Sequence, residues 1–219
     1  MSRQTPPRLT PPGVEKTDSY GASVAIDGTT AIVGAPFDDD IAEDAGAAYV
    51  FNATNGELIA KLTPPNGGIR DHFGQSVAIH GTTAIVGSPL NDIANLRAGA
   101  FYLFDIDTGH MIAQHFASDS SNGDKFGSSV AIGNSIAITG AIGDDDGGRN
   151  SGSVYAYDIN DPQWCTADFI SDCKLDVLDV IDFFEAFNND EPRADLSADG
   201  NINFFDISAF LAAFAAGCP

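Results

Sequence analysis

The chain has 219 residues, 43% of them apolar, and a net charge of −21 at pH 7, enough chain for one or two hydrophobic cores. So acidic a balance argues against nucleic-acid backbones and anionic membrane surfaces, which need a basic face, and suits cations. No apolar run approaches the roughly 20 residues that span a bilayer, so no membrane insertion is expected.

The acid is unevenly spread. Residues 163–219 carry 11 Asp or Glu against Lys174 and Arg193, which makes the short tail the denser region. The opening MSRQTPPRLTPPG lacks an apolar signal-peptide core, although the composition otherwise reads as extracellular, and the start reads as truncated.

Self-comparison shows Tyr20-Gly21, Phe73-Gly74 and Phe126-Gly127 at equal steps of 53 residues. Each opens an alternating segment, Ser23–Ile26, Ser76–Ile79 and Ser129–Ile132. Each is followed by Ala31–Gly34, Ala84–Gly87 and Ala137–Gly140, then by Gly46, Gly99 and Gly152 before aromatic strands at Tyr49, Tyr102 and Tyr155. The first two runs flank tight connections at Asp27-Gly28, His80-Gly81 and Gly133-Asn134, suited to two-residue hairpins. Third strands are expected near 47–52, 100–105 and 153–158, and fourth strands at 57–62 and 110–116. Four antiparallel strands per repeat is the size of one propeller blade.

The Phe-Gly pairs together with Gly34-Ala35-Pro36, and with Gly87-Ser88-Pro89 and Gly140-Ala141-Ile142 as degraded copies, resemble FG-GAP repeats, the units of integrin α-subunit propellers. The resemblance covers roughly residues 9–160 and implies a mainly β fold of three four-stranded propeller-type blades. Integrin-type repeats carry a calcium loop between the FG and GAP elements. This chain has only a hairpin there, so that site is not carried over.

Acid gathers instead after the GAP element, as Asp38-Asp39-Asp40 with Glu43 and Asp44, and as Asp144-Asp145-Asp146. A carboxylate-lined cation loop is one reading. A solvated surface loop is the favoured one, since the second copy has Asn91, Asp92, Asn95 and Arg97 there. Three blades fall short of the usual ~4–8 of a closed propeller. Closure by the strand-like Leu9–Pro12, by homo-oligomerisation, or as part of a longer array all remain open.

After Asp161-Pro162 two units with a 27-residue step begin at Asp168 and Asp195. In the second, Asp195, Ser197, Asp199, Asn201, Asn203 and Asp206 stand where a twelve-residue calcium loop needs its ligands, with Gly200 at the sharp turn. The first offers Asp168, Asp172, Lys174 (through its carbonyl), Asp176 and Asp179. It has Ile170 where an oxygen is needed and Cys173 in place of the glycine, so it reads as a weak or degenerate site. Val180, Phe183, Phe184 and Phe187, like Ile207, Phe210, Leu211 and Phe214, fall at helical spacing and read as core.

Asp at the last loop position and the paired spacing resemble a bacterial dockerin-like module. The domains are therefore read as 1–160, a repeat β domain with repeats starting near 20, 73 and 126, and 163–219, a small all-α calcium-binding module with Ca2+ as cofactor. In dockerins the residues next to the metal contact the receptor, which here implies Val177, Leu178, Phe204 and Phe205. The same resemblance implies a Cys165–Cys218 clasp, with a Cys165–Cys173 bridge as its rival.

No catalytic constellation is found, because His72, His80, His110 and His115 form no HxH or HExxH pattern. The resulting expectation is a non-catalytic, secreted or cell-surface interaction protein. Its tail docks to a cohesin-like or surface-receptor module. The alternative is a fragment or accessory module of a polysaccharide-degrading enzyme or complex.

Overall fold

In the computed structural model, residues 7–13, 15–65, 67–159, 177–189, 191, 194–196 and 201–216 are described. They fall into two compact units, divided between Tyr157 and Asp158.

The first unit holds three antiparallel sheets in chain order. β1 (Ser23–Asp27), β2 (Thr30–Ala35), β3 (Ala47–Asn52) and β4 (Leu58–Leu62) form one four-stranded meander. β5 (Ser76–His80), β6 (Thr83–Ser88), β7 (Ala100–Asp105) and β8 (Met111–His115) form the second. The third sheet, β9 (Phe126–Ile132), β10 (Ile136–Ala141) and β11 (Ser153–Asp158), has three strands among the described residues, a correction to the expectation of three four-stranded blades.

The hairpins lie one residue later than the sequence suggests. Asp27 pairs with Thr30 and His80 with Thr83, so the connections are Gly28-Thr29 and Gly81-Thr82. Gly28 and Gly81 adopt φ of 55° and 57°, a left-handed backbone that a Cβ would penalise. The third connection has three residues, 133–135, rather than two.

What joins the sheets explains why the repeat conserves its two glycines from copy to copy. Gly74, at φ 87°, turns its carbonyl into the preceding sheet, where a Cβ on Gly34 would stand 2.0 Å from that oxygen. The Ser23 hydroxyl donates to the same carbonyl at 2.8 Å. Gly87, Gly127 and Ser76 repeat the joint, with the same 2.0 Å approach and a 2.8 Å bond. Parallel bridges, Gly46 with Phe73 and Gly99 with Phe126, sit beside each joint.

Ile32, Ala48, Val50 and Leu62 of the first sheet share one core with Phe73, Val77, Ile79, Val86, Tyr102 and Phe104 of the second. Phe101, Phe126 and Tyr157 form the aromatic joint between second and third, with ring centroids 5.2 to 5.9 Å apart. Phe73 and Phe126 are fully buried.

The second unit contains α1 (Val177–Asn188) and α2 (Phe204–Ala216). Phe183 stacks on Phe210 with centroids 4.1 Å apart and planes 3° from parallel, and Ala186 and Ala194 complete the core. Phe184 and Leu211, expected in that core, are on the exposed side, because only one helical stripe of each helix faces the other.

Candidate functional site

The acidic loop after each GAP element is built the same way three times, and each acid in it has its own task. The middle acid ties the loop. Asp39 accepts the Asp44 N–H at 2.6 Å, Asp92 accepts that of Arg97 at 2.5 Å, and Asp145 accepts that of Asn150. The donors share a left-handed backbone, with φ of 51° to 54°.

The leading acid points inward. Asp38 and Asp144 are 4% and 3% exposed, whereas Asp39, Asp40, Glu43, Asp145 and Asp146 face solvent, so the reading of solvated surface loops fails at the leading acid alone. Tyr49 donates its hydroxyl to Asp38 at 2.5 Å, and Tyr155 donates to Asp144 at 2.7 Å.

A buried carboxylate needs a positive partner or its hydrogen-bonding equivalent, and each repeat differs in what it supplies. In the first, the Lys61 ammonium lies 3.0 Å from both Asp38 oxygens, bonds Asp40 as well, and stands 5.2 Å from the Tyr49 ring centroid. Burial pulls the Lys61 pKa down, but the bonds to Asp40 and Asp38 outweigh it and hold the group above its ordinary value. Burial first, and the Asp38 carboxylate second, push the Tyr49 hydroxyl up to about 12.

In the second repeat Asn91 replaces the leading acid; its amide donates to the buried Asp71 carboxylate at 2.9 Å, and Asn91 and Gln114 donate to the Tyr102 oxygen at 3.2 and 2.8 Å.

In the third repeat the two acids return as Asp144 and Asp146, and Asp119, from the segment between β8 and β9, joins them. One ligand oxygen from each of the three lies within 4.8 Å of the others. The Tyr155 oxygen is 2.8 Å from Asp119 and 2.7 Å from Asp144. Burial and these two carboxylates raise the Tyr155 pKa. The negative charge of Asp144, then of Asp119, raises that of Asp146, whereas the Tyr155 bond lowers that of Asp144. Asp119 escaped the sequence reading because it stands outside the Asp144–Asp146 run; the absence of a repeat-three equivalent of Lys61 was the available signal.

In the C-terminal unit, Asp195, Asn201, Asn203 and Asp206 of the second loop are described, while Ser197 and Asp199 lie outside the described residues. Asn203 caps α2. Its side-chain oxygen accepts the Phe205 N–H at 2.8 Å, and Asp206, fully buried, accepts the Asn203 N–H at 2.7 Å, a reciprocal capping box. The Asn203 amide donates to the Asn201 carbonyl at 2.9 Å.

Of the first loop, Asp168, Asp172, Lys174 and Asp176 lie outside the described residues, as does the side chain of Asp179. So do Cys165, Cys173 and Cys218, and the side chains of Val177 and Leu178. Phe204 and Phe205, in the first turn of α2, are 72% and 68% exposed.

The family model described as FG-GAP repeat matches residues 7–51, 57–104 and 112–157. No curated protein matches the chain.

Proposed function

The chain belongs to the FG-GAP repeat family, whose repeats suggest a β-propeller-like extracellular protein-interaction domain, and from that premise we propose a non-catalytic, calcium-binding interaction protein of the cell surface or exterior. Residues 1–160 act as its scaffold. Residues 163–219 act as a dockerin-like paired calcium-loop module that docks to a cohesin-like or surface-receptor domain. In this reading the second loop, through Asp195, Ser197, Asp199, Asn201, Asn203 and Asp206, is the strong Ca2+ site and the first loop the weak one.

The observation that carries the reading is the exposure of both Phe204 and Phe205 on the turn that Asn203 and Asp206 fix. Two adjacent solvent-facing aromatics on an ordered helix start have the character of interface anchors, each costing about 2 kcal/mol or more of binding when truncated. They are more than the α1–α2 core requires, since Phe183 and Phe210 already fill it.

Calcium titration of the full chain against its Asp195→Ala variant tests the metal half. The variant is expected to lose the tight C-terminal binding event, and two equal tight events in that unit would contradict the asymmetry. Capture from the surface fraction of the source cell, in calcium and in chelator, tests the docking half. Phe204→Ser with Phe205→Ser is expected to abolish a calcium-dependent capture, and undiminished capture would defeat the assignment of the face.

A further inference from the structure

We propose that two copies of this chain join head to tail into one ring of six sheets, the first sheet of each copy packing on the third sheet of the other, with Arg8 and Leu9 pairing along β11. This association goes beyond the calcium and docking reading of the C-terminal unit and does not rest on it. The segment before β1 carries it. Leu9-Thr10-Pro11-Pro12 stands 53 residues before Leu62-Thr63-Pro64-Pro65, where β4 ends, and it occupies the place in space that this spacing assigns. Leu62 shares a core with Val86, Tyr102 and Phe104 of the following sheet. Leu9 packs with Val33, Tyr49 and Phe51, their equivalents in the first sheet. Pro7 is the nearest neighbour of a Cβ placed on Gly56, at 3.5 Å, as Ala60 is on Gly109, at 4.0 Å. Pro11 and Pro64 are both buried. Residues 7–11 thus lie where the fourth strand of a sheet preceding β1 would lie, and no other strand of such a sheet is among the described residues.

The third sheet is the complement, three strands with β11 at its edge among the described residues. Ile138 and Val154 on its outer face are 42% and 74% exposed, whereas Ile32 and Ala48, their equivalents in the first sheet, are fully buried against the second. On the other side of the proposed contact, Val24 and Ile26 of β1 are exposed where Val77 and Ile79 of β5 are covered. The backbone parts of a joint are present as two halves. Gly21, at φ 93°, has the left-handed backbone of Gly74 and Gly127. A Cβ on Gly140 meets only Ser129, which leaves open the space that the Gly74 carbonyl fills over Gly34.

Charge selects the occupant. In the register of β3 with β4, Tyr49 faces Lys61 and Ala48 faces Leu62, so Arg8 of the second copy falls opposite Tyr155 and its Leu9 opposite Val154. Lys61 bonds Asp38 and Asp40. Arg8 is its exposed equivalent, and Asp144 and Asp146, with Asp119 beside them, are the acids it would meet. A basic strand thus faces an acidic edge. The same contact made in both directions closes two copies into six sheets, within the usual ~4–8 of a propeller. The joint between copies is weaker than those inside the chain. It costs the free motion of two molecules, and Ala156 stands where Val50 and Leu103 fill the inner joints. Dilute chains are therefore single, with both faces open.

Sedimentation velocity of the full chain tests this, in chelator so that calcium-dependent contacts of the C-terminal unit are silent. From about 1 μM to about 1 mM, the range of modest affinities, the mass is expected to rise from one chain to two and no further. Val24→Asp and Val154→Asp, both at exposed positions and so of little cost to folding, should each stay single alone. Mixed in equal amounts they should pair again, because the intact face of each meets the intact face of the other. Arg8→Glu should weaken association about tenfold or more. One mass at every concentration would overturn the proposal, as would growth beyond two chains, since six sheets would then not close. A dimer that survives either Asp substitution would place the contact between two like faces or on the C-terminal unit, and would overturn it too. So would a mixture that stays single.

Discussion

Val24 and Ile26 on β1 are 69% and 64% exposed, whereas Val77 and Ile79, their equivalents on β5, are 8% and 7% exposed. The two strands have the same Ser-Val-Ala-Ile sequence and the same register with the strand that follows. Only the neighbour differs. The β5 face meets Ile32, Val50 and Leu62 of the preceding sheet, while the matching side of the first sheet is covered over β2 and β3 by Leu9, Tyr20 and Leu58 and left open over β1. Each repeat thus encodes half of two joints, and burial at a given position is a property of the array rather than of the strand.

The sharpest way to break this comparison is to obstruct one joint. A Cβ on Gly87 would stand 2.0 Å from the Gly127 carbonyl oxygen, whereas on Gly140 it meets only the Ser129 hydroxyl, at 2.6 Å. Backbone cannot step aside as a side chain can. Gly87→Ala is therefore expected to cost about 3 kcal/mol or more, at the upper end of overpacking effects, and Gly140→Ala about 1 kcal/mol or less. Denaturant midpoints of the two variants measure the difference.

Removing apolar volume asks the same question from the other side. Ile79→Ala should cost about 2–4 kcal/mol through lost burial and the cavity left behind, while Ile26→Ala should stay within about 0.5 kcal/mol, as exposed sites do. Equal losses would mean that the β1 face is covered in solution.

The two joints also differ in pH response. Leu62 of the first joint is fully buried, and its equivalent in the second repeat is His115, whose ring centroid lies 4.9 Å from that of Phe101 and 5.7 Å from that of Tyr157. Burial lowers the His115 pKa from 6.5 to about 4. The unfolded chain then binds the proton first, so this group's contribution to stability is intact above pH 6.5 and is lost as pH falls toward 4. Between pH 7.5 and 5 the expected loss is about 2 kcal/mol, following the linkage relation. His115→Leu should lose that much less than the native chain over the same interval, a difference that cancels the shared titration of the carboxylates.

Much of this was legible from spacing alone. The 53-residue step of the Phe-Gly, Gly-Ala-Pro and tyrosine positions located every third strand, because alternation and turn residues act locally. The role of each loop acid was not legible. Asp39 and Asp38 are adjacent and chemically identical, yet one ties a loop and the other is buried against Lys61 from β4, a partner 23 residues away. Asp119 was missed for the same reason: its companions are brought to it by the sheet, not by the sequence. Phe204 and Phe205 went the other way. The resemblance named them only as contact residues, and both are exposed, because the α1–α2 interface uses a single stripe on each helix.

The smallest expected effect is also the most local. The Ser76 hydroxyl donates to the Gly127 carbonyl across the second joint, while Ser129, exposed on β9, has no following sheet among the described residues to bond. Ser76→Ala should cost about 1 kcal/mol, the usual net value of one hydrogen bond, and Ser129→Ala nearly nothing. The same hydroxyl is one of two obstructions to a methyl on Gly87, at 2.3 Å from the Cβ position, the other being the 2.0 Å backbone oxygen. With Ser76 truncated, Gly87→Ala should become cheaper without becoming harmless, since the carbonyl remains. A double-mutant cycle is thus expected to show a favourable coupling of about 0.5–1 kcal/mol, of the size found for residues in direct contact. Strict additivity would mean that the joint opens as a whole when either residue is changed, and that serine and glycine do not share one tightly packed carbonyl.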